Sequence, residues 1–118
     1  MPTCFITLSE MVTDLTDEQL QKIRDVVADG LNSKSRLLDR HHIVLRIQRS
    51  KRVFMLGDVE IEVFAQFFLR RFFSRDRRAQ SISREVSLFL RADCAAWINM
   101  GVVGYARVTT RGESFFSD

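Results

Sequence analysis

The sequence predicts an α+β fold: a two-layer α/β sandwich of two βαβ units, with a four-stranded sheet and two helices on one of its faces. Three observations lead there. Residues 3–8 alternate in polarity at the strand period. Residues 16–31 carry a helix start signal followed by an apolar stripe at helical spacing. The order strand, helix, strand then recurs, so a single domain, 1–118, divides into pseudo-repeat halves near 1–57 and 58–118, alike in layout and without strong identity.

In the first strand Cys4, Ile6 and Leu8 share one side, and Thr3, Phe5 and Thr7 the other. Thr16-Asp17-Glu18-Gln19 matches a capping box, with Thr16 as N-cap and Gln19 reaching back. Leu15 and Leu20 stand where a hydrophobic staple would. Leu20, Ile23, Val26, Val27 and Leu31 form the apolar stripe, and Gly30 and Asn32 fit the helix end. After a polar connection, His41 to Gln48 reads as a second strand, which the crossover makes parallel to the first. Val59 to Leu69 reads as a third strand, with Val59, Ile61, Val63 and Ala65 on one side. A second helix spans about 74–91, with Ala79, Ile82, Val86, Phe89 and Leu90 as its stripe. Residues 95–108 hold a fourth strand, split by Gly101 and Gly104, and the tail with Phe115 and Phe116 is a candidate edge strand. The sheet face away from the helices is partly apolar through Phe5 and Phe64, and self-association is its simplest cover.

Composition narrows the class. With 46% hydrophobic and 28% charged residues the chain is globular. No run has the length of a membrane span and no signal peptide is visible, so a cytoplasmic protein is expected. Cys4 and Cys94 fit no metal spacing and read as reduced thiols, with a disulfide as the alternative; no metal and no cofactor is expected. Adjacent His41 and His42 would point to opposite faces of a strand, which argues against a shared metal. The net charge is +3, but Arg70, Arg71, Arg75, Arg77 and Arg78 crowd together. That cluster is either a phosphate or nucleic-acid contact or a solvated helix start; no nucleic-acid motif accompanies it, and the solvated reading is preferred.

The chemistry points to the N-terminus. Pro2 is the single proline of the chain and directly follows Met1. Removal of Met1 would leave a secondary amine able to act as a base, whereas retention would block it. The alternative is a starting residue with no duty.

Met1-Pro2, followed by two βαβ units over nearly the whole length, resembles the tautomerase superfamily, which includes 4-oxalocrotonate tautomerase, 5-carboxymethyl-2-hydroxymuconate isomerase and macrophage migration inhibitory factor. The resemblance is clearest at Met1-Pro2, at Ile43-Val44-Leu45-Arg46-Ile47 through Phe54-Met55-Leu56-Gly57, and at Trp97-Ile98-Asn99, which is similar to the Tyr-Ile-Asn of the inhibitory-factor branch. It implies a tautomerase-like homotrimer and keto–enol proton transfer on a small anionic 2-keto acid, with Pro2 as general base. It also implies Lys34 as an anion-binding lysine, with extra residues after it, and Asn99 at the pocket rim, while Trp97 replaces a tyrosine. Arg46, Arg49 and Arg52 are candidates for a substrate carboxylate, none in matching register. Each has a plainer alternative: Arg46 pairs with Glu60 or Glu62 on a neighbouring strand, Lys34 and Arg49 are solvated loop cations, and Trp97 is a packing residue. The competing functions are a non-catalytic trimeric binding protein on the same fold and a basic nucleic-acid module.

Overall fold

The computed structural model describes residues 2–32, 38–66, 68–101, 105–109 and 114–117, the last two ranges as backbone. Strand β1, Thr3–Ser9, lies at the centre of the first half. Its alternation is realised: Cys4, Ile6 and Leu8 are buried, and Thr3, Phe5 and Thr7 are half-buried on the opposite face. Helix α1, Asp17–Leu31, begins at the capping box. The Gln19 N–H donates to Thr16 Oγ1 at 3.1 Å, and the Thr16 N–H to Gln19 Oε1 at 2.9 Å. Asp17 and Glu18 in the first turn complement the positive end of the helix dipole.

The helix ends where the sequence places its end, at Gly30 and Leu31 with Asn32 beyond them. A Cβ at Gly30 would come within 2.7 Å of Ile82 Cγ1, so the glycine also lets two helices touch. Asn32 is the C-cap, and its side chain also bonds both backbone groups of Leu38.

Strand β2, Val44–Ser50, starts later than expected. Asp39 caps a 3₁₀ turn over Arg40–His42 by accepting from the His41 N–H at 2.9 Å, which places both histidines in a turn. Strand β3, Val59–Phe64, stops short of the expected Leu69. The chain leaves the sheet and forms a short helix α2, Leu69–Phe73, before α3, Arg75–Leu90. Strand β4 is Cys94–Asn99. The split fourth strand is a second correction: Gly101, at φ +73°, begins a reversal, and β5, Tyr105–Thr109, runs back antiparallel to β4. Gly104 lies outside the described residues. Strand β6, Ser114–Ser117, pairs with β5.

The expected four strands are therefore present in the order β2-β1-β3-β4, and β5 and β6 extend them to a six-stranded sheet. Pairs β1–β2 and β3–β4 are parallel and β1–β3 is antiparallel, as two βαβ units side by side require. Helices α1 and α3 cover one face. Ile23, Val27 and Leu31 of α1 and Ala79, Ile82 and Val86 of α3 share one core with Ile6, Leu8, Ile61, Val63, Ala96 and Ile98. Each such aliphatic side chain contributes about 1.5–3 kcal/mol through burial. Both thiols are free and buried in this core. Burial pushes the Cys4 thiol up to about 12 and raises Cys94 as well, so neither is a nucleophile near neutral pH.

Candidate functional site: the cavity at Pro2

Pro2 leads into β1, where a residue without an N–H costs no ladder hydrogen bond. Its carbonyl accepts from the Val44 N–H at 3.1 Å, and the residue is buried. Register then gathers its neighbours. Thr3 pairs with Phe64 and Phe64 with Asn99, so the start of β1 and the ends of β3 and β4 meet at one edge of the sheet. A cavity of about 720 Å³ opens there, walled by Pro2, His42, Phe64, Phe68, Arg71 and Asn99 among others.

Arg71 is the distinctive member of that wall. It is 7% exposed. Its Nε donates to Leu31 O at 3.0 Å and its Nη1 to Gln66 O at 3.2 Å, and its guanidinium lies 4.7 Å from the centre of the Phe68 ring. No carboxylate among the described residues pairs with it. Desolvation, and then repulsion from Arg78, hold its pKa below the ordinary arginine value, although a guanidinium stays charged at any working pH. A buried cation held by carbonyls, with no counter-charge among the described residues, is costly in isolation and is a ready receptor for a carboxylate.

Two polar groups complete the wall. Asn99 Oδ1 accepts from the Gly101 N–H at 2.9 Å, which leaves its amide N–H groups as donors. His42 Nδ1 accepts from the Asp39 N–H at 3.1 Å, which assigns the proton of a neutral ring to Nε2.

The open sheet face forms a second concavity of about 490 Å³, walled by Phe5, Thr7, Gln48, Glu60, Glu62, Phe64 and Trp97. Phe5 meets Phe64 edge to face with centroids 5.5 Å apart. Partial burial, and then the neighbouring Glu60, raise the Glu62 carboxyl above its ordinary value.

The sequence-derived candidates are thus divided. Pro2 and Asn99 share the first cavity, and Trp97 faces the second. Arg46 is exposed on β2 opposite Phe5. Among the described residues it makes no ion pair with Glu60 or Glu62, because β1 separates β2 from β3; the expected pairing is corrected. Arg49 is in register with Leu8, at the far end of β1 from Pro2, roughly 20 Å away at the rise of a strand. It pairs with Asp14 and donates to the carbonyls of Ser9 and Val12, so in this chain it pins the loop after β1. Arg52 is tied to Asp58 at 3.0 Å. Lys34 lies outside the described residues. Sequence reasoning missed Arg71, His42 and Phe68 as site residues; the available signal was the aromatic flanking of Arg70 and Arg71 by Phe67, Phe68, Phe72 and Phe73.

The reading of the arginine cluster as solvated is also corrected in part. Arg75 donates to Phe72 O at 2.8 Å and stacks 4.2 Å from the Phe72 ring centre, and Arg78 donates to Gly30 O and Asn32 O. Among the described residues no group of three or more potential ligands could hold a metal, and no helix is long and apolar enough to cross a membrane. Comparison of the chain with family models, curated proteins and solved structures finds no match.

Proposed function

We propose that this chain is an isomerase of the tautomerase type, which moves a proton between carbon and oxygen of a small 2-keto acid with Pro2 as the base. The observation that carries the proposal is the meeting, in one cavity, of Pro2 with a buried arginine that has no carboxylate partner among the described residues. The sheet order β2-β1-β3-β4 with both long helices on one face supports a tautomerase-like fold.

Once Met1 is removed, the Pro2 nitrogen is a secondary amine. Arg71 holds the substrate carboxylate by charge-assisted hydrogen bonds. The neutral amine takes the proton from the carbon next to the ketone, the C–H electron pair moves into the enolate, and negative charge develops on oxygen. The Asn99 amide donates to that oxygen, and the prolinium then gives its proton to the oxygen, which forms the enol and restores the neutral amine. Ketonisation runs the same steps backwards, with the prolinium proton delivered to carbon. The apolar part of the wall, Leu38, Phe64, Ala65 and Phe68, suits this chemistry because a less polar surrounding strengthens each electrostatic contact. Self-association, as a homotrimer, covers the open face at Phe5, Phe64 and Trp97.

The test is the ketonisation rate of phenylenolpyruvate, with removal of Met1 confirmed by intact mass. Parent protein should accelerate it, and Pro2→Ala should lose about 10²–10⁴-fold, the worth of a general base. Arg71→Lys should raise KM more than it lowers kcat. A parent protein without Met1 and without acceleration would turn the assignment to the non-catalytic binding protein.

A further inference from the structure

On the outer side of the molecule, the end of α1 and the start of α3 enclose a cleft of about 480 Å³ that takes no part in the Pro2 cavity. Its wall includes Arg70, Arg77, Arg78, Ser74 and Ser81, against one acidic residue, Asp29. We propose that this cleft binds a phosphate-bearing small molecule.

The arginines are held close against their mutual repulsion. Arg78 is held by bonds that include Nη1 to Gly30 O at 2.9 Å and to Asn32 O at 2.8 Å, and Nε to Ser74 Oγ at 2.8 Å. Its pKa is lowered first by desolvation and then by Arg77 and Arg70, so those two guanidinium groups lie near enough to be felt. Arg70 and Arg77 are exposed, and neither has an ion-pair partner among the described residues. They are the groups left to take a ligand, while Arg78 sets the floor of the cleft.

The helix end adds to this field. The Ser74 hydroxyl donates to Arg70 O at 2.6 Å and does not cap α3, so the first N–H groups of a sixteen-residue helix have no side-chain cap there. Asp76 in that first turn offsets part of the positive field, yet three arginines stand against Asp29 in the cleft itself. Two forked guanidinium groups and the Ser81 hydroxyl match the several acceptor oxygens of a phosphate better than the two of a carboxylate. A polymer is disfavoured because the charge is gathered in one cleft, on a chain whose net charge is only +3.

The experiment is calorimetric titration of the full chain with inorganic pyrophosphate at constant ionic strength, with inorganic phosphate and a short single-stranded DNA as parallel arms. One saturable site per chain is expected, weaker for phosphate than for pyrophosphate. Arg70→Gln and Arg77→Gln should each weaken it at least tenfold, and the pair should abolish it. Pro2→Ala should bind like the parent, which keeps this site separate from the fate of the proposed chemistry. Circular dichroism confirms that the variants fold, as expected for exposed positions. Absence of saturable binding, or binding that survives the double variant, would overturn the proposal. So would retention of DNA without any response to pyrophosphate.

Discussion

The two faces of one sheet receive the same strand alternation and end in different states. On the covered face, Ile6, Ile61, Val63 and Ile98 meet helix stripes whose spacing matches theirs, and exposure falls to zero. On the open face, Phe5, Glu62 and Trp97 stand in one row across β1, β3 and β4, half-buried and chemically mixed. Strand periodicity thus decides which residues face together, and the partner layer decides what they become. The covered face is finished within the chain. The open face, with Phe64 39% exposed and a carboxylate among aromatic rings, has no covering layer among the described residues.

The largest expected effect falls on the covered face. Ile61→Ala should cost about 2–5 kcal/mol in denaturant unfolding, the usual range for emptying a buried aliphatic site. A loss below about 1 kcal/mol would mean that the helix layer is looser than its burial indicates. A smaller effect is expected where the helices touch. Gly30→Ala gains about 1 kcal/mol of helix propensity but forces its Cβ against Ile82, an overpacking worth about 1–3 kcal/mol, so a net loss of about 1 kcal/mol is expected. A gain in stability would place the helices farther apart than this contact.

The smallest effect belongs to the open face and depends on pH. The Glu62 carboxyl is raised in the folded protein, so folding favours its protonated form. That preference is present below the ordinary carboxylate range and is lost as pH rises through the folded pKa, which leaves an ionised group that opposes folding at neutral pH. Glu62→Gln should therefore melt higher than the parent at pH 7, with the difference closing as pH falls below the ordinary value of 4.5. Melting curves at both ends of that window check it; a difference independent of pH would assign the effect to packing.

What could be read beforehand follows the range of the interactions involved. The capping box at Thr16 and Gln19, and the alternation of β1, are local, and both were legible. Gly30 and Asn32 marked the helix end locally too, whereas the contact of Gly30 with Ile82 is supplied by tertiary structure. The run after Phe64 continued to look like a strand because aromatic residues favour strands, and nothing local announced the short helix at Leu69. Arg71 was hidden among charges that appeared solvated: its bonding partner Leu31 O comes from the end of α1, forty residues earlier. The pairing of Pro2 with Asn99 was legible only through the family resemblance, whereas the cation of their cavity was not.

The central claim is most directly tested at the nitrogen itself. Titration of the Pro2 ¹⁵N resonance in protein of confirmed N-terminal mass should give a midpoint below that of an exposed prolyl amine, because burial beside the Arg71 cation disfavours the ammonium form. A midpoint at or above that of an exposed prolyl amine, or a nitrogen still carrying Met1, would contradict the account, since little neutral base would then be present at working pH.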